Sequence, residues 1–223
     1  MKKILLGLII AALLVPSIDA RRTTPKAGDI DDGVFTDAQY NYGMKISDDW
    51  DPRVRKDKEN FRLTLIRRNY GIPAHYQNAE DYTYAPRIVL YVGETKMTPN
   101  QLVDSLVSYD YGSDMKSEMR KEFDFLNEQD IVPKGRKPFQ IGDLQAYQWT
   151  GEAKYMKAVQ TSASSAGGKR VNSSYGGALV AVKKDGSDTV LVFHIMCENE
   201  FFDNNFAQAM QMINSLTWDE PKE

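Results

Sequence analysis

The chain has 223 residues, 28 basic and 31 acidic side chains and a net charge of −3. That balance excludes a nucleic-acid binder, which needs a concentrated basic face. With 42% hydrophobic residues and a single cysteine, Cys197, the composition suits one packed domain with no internal disulfide.

The first twenty residues read as a secretory signal peptide. Lys2 and Lys3 precede an apolar run from Ile4 to Val15, which Pro16 ends, and small residues follow at Ser17 and Ala20. The run is too short for a bilayer core of roughly 30 Å, which takes about 20 residues. The expected product is exported, periplasmic or extracellular, with no lipid anchor at its start and no stable membrane insertion once the signal is removed. Residues 21–33 (RRTTPKAGDIDDG) are polar and carry breakers, and are expected as a flexible linker.

The folded domain is expected over residues 34–218, with a charged tail at 219–223. Tyr40, Tyr42, Met44 and Ile46 alternate with polar neighbours, the period-two signal of a strand running from Val34 to Ile46. Phe61, Leu63 and Leu65 give a second strand. Residues 69–84 (NYGIPAHYQNAEDYTY) follow neither period and are expected as a long loop. Arg87–Val92 is a strand buried on both faces.

Thr98-Pro99-Asn100-Gln101 is a capping box with proline at the first helical position, and Leu102, Val103, Leu106 and Val107 supply the apolar stripe of the helix that follows. Met115, Met119, Phe123 and Leu126 predict a second helix over 115–129. Residues 133–138 (PKGRKP) read as a turn, and Phe139–Ile141 and Ala146–Thr150 as strands. The stretch from Thr161 to Gly177, rich in serine and glycine, is expected as a flexible loop. Ala178–Val182 and Thr189–Met196 form a hairpin across Asp185-Gly186. A last helix starts near Asp203, with Phe206, Met210, Ile213 and Leu216 on one face. Strand groups with helices between them make an α+β protein with an antiparallel sheet.

The order of elements resembles the Mog1/PsbP-like fold, including its bacterial secreted members of unassigned function. The residues that carry the resemblance are Phe35, the run Tyr40-Asn41-Tyr42-Gly43-Met44-Lys45-Ile46 and Trp50, the helix start Thr98-Pro99-Asn100-Gln101-Leu102, Ala146-Tyr147-Gln148-Trp149, and Ser215-Leu216-Thr217-Trp218. The resemblance implies a three-layer α/β/α sandwich around a central, mainly antiparallel sheet. It also implies a non-catalytic binding or assembly-accessory role, here at the bacterial cell envelope, and transfers no ligand residue.

No residue pattern names a reaction, so no catalytic residue, metal ligand or cofactor is assigned. His194 and Cys197, three apart on a strand, point to opposite faces and cannot share a ligand or a proton. His75 stands alone in the long loop. Asp29, Asp31 and Asp32 lack the alternation and closing glutamate of a calcium loop. Glu118 and Glu122 share one face of a helix and read as solvent-exposed. The candidate contact residues for a protein or small-molecule partner are Tyr76, Tyr82 and Tyr84 in one loop and Lys169, Arg170 and Tyr175 in the other, the second set suited to an anionic or planar group. The rival expectation is a hydrolase or small-molecule binder with a site around His194 or His75, which an open, carboxylate-flanked His194 would support.

Overall fold

A computed structural model describes residues 26–68, 86–108, 114–128, 130–159 and 169–218, those of 155–159 and 169–173 by their backbone alone. The segment expected as a signal peptide, the segment expected as a loop with His75, Tyr76, Tyr82 and Tyr84, and the expected tail fall outside these ranges.

The described residues form two antiparallel sheets and three helices. The larger sheet has seven strands: β4 (Trp50–Val54), β5 (Phe61–Arg67), β6 (Arg87–Glu94), β7 (Ile131–Ile141), β8 (Leu144–Val159), β9 (Lys169–Lys184) and β10 (Thr189–Glu198). Their order across the sheet is β4-β5-β6-β10-β9-β8-β7, and every neighbouring pair is antiparallel. The smaller sheet joins β1 (Asp29–Asp31), β2 (Val34–Asp37), β3 (Tyr42–Lys45) and β11 (Thr217–Trp218) in the order β1-β2-β3-β11.

Period-two alternation divides the large sheet into two apolar faces. On one, Leu90, Val180, Leu191, Phe193 and Cys197 pack with Phe35, Met44 and Trp50 and with α3 (Asn199–Ile213), through Phe202, Ala209, Met212 and Ile213. On the other, Val89, Leu179, Val190 and Val192 pack beneath α1 (Pro99–Val107), α2 (Asp114–Met119) and a single 3-10 turn at Asp124–Asn127. Helices thus flank both faces of an antiparallel sheet, and the small second sheet lies beside α3.

Several expectations are corrected. Val34–Ile46 is two strands joined by a turn at Asn41 (φ 53°), not one. The linker expected over 21–33 gives way to structure from Lys26: Lys26 bridges Lys56, Ala27 is buried, and β1 pairs with β2. The Pro/Lys-rich segment at 133–138 lies in strand β7, and the serine- and glycine-rich segment is strand β9 from Lys169 on. Gly176 and Gly177 are sockets rather than breakers. A Cβ on Gly176 would stand 2.3 Å from the Phe202 ring, and one on Gly177 2.3 Å from the Phe125 ring, on opposite faces. The helix expected over 115–129 ends at Met119, and a 3-10 turn at Asp124–Asn127 follows once Phe123 has left helical geometry (φ −97°, ψ 76°), with the Glu122 carbonyl between them accepting from Arg87 Nη2 (3.1 Å). Finally, α3 starts at Asn199, and Phe202 and Met212 take the buried places expected of Phe206 and Met210.

Candidate functional site

Helix α1 begins as its sequence dictates: the capping box forms, with Gln101 Oε1 accepting the Thr98 N–H at 3.0 Å. Leu102, Val103 and Leu106 anchor it on β8 and β9. Its start is also tied down from below, where Lys183 Nζ on β9 donates to the carbonyls of Thr95 (2.5 Å) and Met97 (3.2 Å). At the other end, the buried Lys116 ammonium donates to the Ser105 and Ser108 carbonyls, a cation placed on the negative end of the helix dipole.

This anchoring leaves a groove of about 520 Å³ between the first turn of α1 and the β7–β8 hairpin. Thr98, Pro99 and Asn100 line it from the helix, and Pro138, Phe139, Gln140, Gln145, Ala146 and Tyr147 from the hairpin. Among the described residues the lining is amide, hydroxyl, proline and aromatic, with no carboxylate, imidazole, thiol or amine. Such a surface offers hydrogen-bond donors and acceptors together with flat apolar contacts. A smaller cavity of about 140 Å³ lies at the other end of α1, lined by Leu106, Arg120, Ile131, Arg136 and Trp149 among others. Arg136 also pairs with Asp104 of α1 (3.0 Å).

The two sequence-singled nucleophile or base candidates are both walled in. His194 is fully buried, stacked on Phe123 at 4.8 Å, with no hydrogen-bond partner at either ring nitrogen. Burial, helped by the Arg87 charge, lowers its pKa to about 3, so the ring is neutral and inert. Cys197 is buried on the opposite face, as the strand period requires, and burial, with Glu198 and Asp203 nearby, pushes its thiol up to about 12. The hydrolase expectation built on an open His194 is therefore overturned, and His75 lies outside the described residues.

Tyr175 is buried too, its ring edge-on to Phe125 at 5.7 Å, so it presents no face to a partner. Lys169 and Arg170 lie on β9, paired with Val159 and Ala158 of β8. Glu118 and Glu122 are not a free helix surface. Glu118 Oε2 accepts from the Tyr91 hydroxyl (2.8 Å) and from Asn60 Nδ2 (2.9 Å), and Glu122 Oε1 pairs with Arg55 Nη2 (2.5 Å). Burial and that carboxylate together raise the Tyr91 pKa. Asp29, Asp31 and Asp32 sit in β1 and its turn, and no group of three or more potential metal ligands occurs among the described residues. No helix among the described residues is long and apolar enough to cross a membrane.

What sequence reasoning missed is the groove itself. Its walls come from segments about 40 residues apart, and its polar members are asparagine and glutamine, which carry no spacing signature. The capping box and the β8 strand were visible separately; nothing in the sequence says that they face each other.

No family model matches the chain, and no curated protein matches it. Solved structures do. LpqN, involved in cell envelope biogenesis of Mycobacterium tuberculosis, matches at 13% identity over 80% of this chain and 83% of its own, with a TM-score of 0.45. Cyanobacterial PsbP (CyanoP) from Synechocystis sp. PCC 6803 matches at 7% identity over 83% and 91%, with a TM-score of 0.45. The Saccharomyces cerevisiae Ran-binding protein Mog1p matches at 9% identity over 85% and 96%, with a TM-score of 0.43. Both names in the sequence resemblance are thus among the matches. These are likenesses of chain trace, and no residue, partner or activity passes from them to this chain.

Proposed function

We propose that this protein is an exported, non-catalytic binding or assembly-accessory protein of the bacterial cell envelope, and that the groove between α1 and the β7–β8 hairpin holds its ligand. The observation that carries this reading is the lining. Asn100, Gln140 and Gln145 can each donate and accept, while Pro99, Pro138, Phe139 and Tyr147 give apolar planes, and no side chain among the described lining residues is suited to moving a proton at neutral pH. The ligand that such a lining suits is uncharged and rich in hydrogen-bonding groups, an extended peptide segment above all. The export half of the proposal rests on Met1–Ala20, with its two lysines, short apolar run and small residues.

Site-specific photocrosslinking in cells tests it. A benzophenone side chain placed at Asn100 or Gln145 is expected to give a discrete adduct recovered in the envelope fraction. The same probe at Lys56, exposed at the far edge of the large sheet, is expected to give none. Equal labelling from all three positions, or no adduct from Gln145, overturns the groove as the binding site.

A further inference from the structure

Beyond the groove, strands β8 and β9 run on past the rest of the sheet. Ile131, the first residue of β7, pairs with Ala153, and Glu198, the last residue of β10, pairs with Tyr175. From there Lys154–Val159 and Lys169–Ser174 pair, among the described residues, only with each other, six pairs from Lys154↔Ser174 to Val159↔Lys169. At roughly 3.4 Å per residue this is a two-stranded ribbon about 20 Å long. A ribbon of two strands is marginal in water by itself and gains most from a third neighbour. Both of its outer edges carry backbone N–H and C=O groups with no strand partner among the described residues.

The other edges of the sheet are guarded. β4 carries Pro52, and β7 carries Pro133 and Pro138 and a bulge between Pro133 and Gly135. These are the devices by which an edge refuses another strand. The ribbon has none of the prolines. Its sequence, KYMKAV opposite KRVNSS, permits strand pairing throughout. It is also the positive end of a negative protein. In a chain with 31 acidic residues, none occurs from Ala153 to Lys184, and Lys154, Lys157, Lys169 and Arg170 all fall on the ribbon.

We propose that this ribbon docks an acidic, extended polypeptide segment, which adds along an open edge as a further strand. The unpaired edge supplies the main-chain hydrogen bonds, and the four cations select an acidic partner and repel a second copy of the ribbon. An anionic lipid surface would use the charge but leave the row of edge groups idle, so the polypeptide is the occupant the geometry favours.

The test uses the purified protein and a fluorescent peptide of alternating glutamate and valine. Binding by anisotropy is expected to weaken with salt. Lys154→Gln, Lys157→Gln, Lys169→Gln and Arg170→Gln together are expected to weaken it ~10-fold or more. Lys56→Gln with Lys58→Gln, on the far side of the molecule, is expected to leave it unchanged. The same peptide N-methylated at alternate residues, which removes the donors of one edge, is expected not to bind. On the unaltered protein, hydrogen exchange at residues 154–159 and 169–174 is expected to slow when peptide is added, a readout independent of how well the variant folds. Three results overturn the proposal: no peptide binding at millimolar concentration, equal binding of the N-methylated peptide, or ribbon-dependent capture of phosphatidylglycerol vesicles in place of the peptide.

Discussion

The two faces of the seven-stranded sheet solve the same packing problem differently. The face under α3 is closed by one fifteen-residue helix and a small sheet, and the deeply buried Arg62–Asp37 pair on it is saturated. Arg62 donates through Nε to Asp37 Oδ2 (2.7 Å), through Nη1 to the Asp57 and Glu59 carbonyls, and through Nη2 to Ala27 O, Asp37 Oδ1 and Gln39 Oε1. The face under α1 is closed by shorter pieces, and there polar atoms are buried without partners: both nitrogens of His194, Trp149 Nε1 and Thr64 Oγ1. The groove and the smaller cavity at the ends of α1 also lie on that side. Among the described residues the α3 face has one such unpartnered atom, Arg67 Nη1, on a guanidinium that still pairs with Asp49, whereas the His194 ring on the other face makes no hydrogen bond at all.

The largest effect is expected from unbalancing the saturated pair. Asp37→Ala leaves the Arg62 charge buried at 1% exposure without its counter-ion, which should cost about 3–5 kcal/mol in urea denaturation. A loss under about 1 kcal/mol would mean the pair is not the anchor of its face.

The second effect separates the faces by pH. His194 has a folded pKa of about 3 against 6.5 unfolded, so the unfolded chain binds the extra proton between those values and stability falls as pH falls through that window. By pH 4 the loss should reach roughly 3 kcal/mol relative to pH 7. His194→Phe, which keeps a ring against Phe123, should flatten this part of the profile; an unchanged slope would show that the acid sensitivity comes from elsewhere.

The smallest effect is also the most discriminating. Gly176→Ala and Gly177→Ala each push a methyl into an aromatic ring, at a cost of about 1–3 kcal/mol. Phe202 is held on a long helix and Phe125 on a four-residue turn, so the Gly176 substitution should cost more. The reverse order in thermal melts would show that the short-element face is the stiffer one.

Much of this architecture was legible where local chemistry and tertiary packing agree. The cap of α1, the hairpin at Asp185-Gly186 (Gly186 φ 75°), the buried β6 and the opposed His194 and Cys197 follow from composition and period. The failures share one cause: residues whose usual meaning is local were used for a long-range purpose. Gly176 and Gly177 resemble loop glycines but make room for rings from α3 and the 3-10 turn. Pro133 and Pro138 resemble turn prolines but sit in an edge strand, where a missing N–H costs nothing. Arg62 resembles an outward strand residue but is the hub joining two sheets. The groove was illegible for a related reason, since amide side chains declare no chemistry until the fold brings them together.

The reach of Arg62 has a practical side. One of its acceptors is the carbonyl of Ala27, and the Ala27 N–H in turn bonds the Arg55 carbonyl at 2.8 Å. The stretch just ahead of Val34 is therefore no handle that can be trimmed or replaced at will. A protease cutting between Lys26 and Val34 would open a sheet and strip an acceptor from a buried guanidinium, whereas an affinity tag joined upstream of Lys26 leaves both in place.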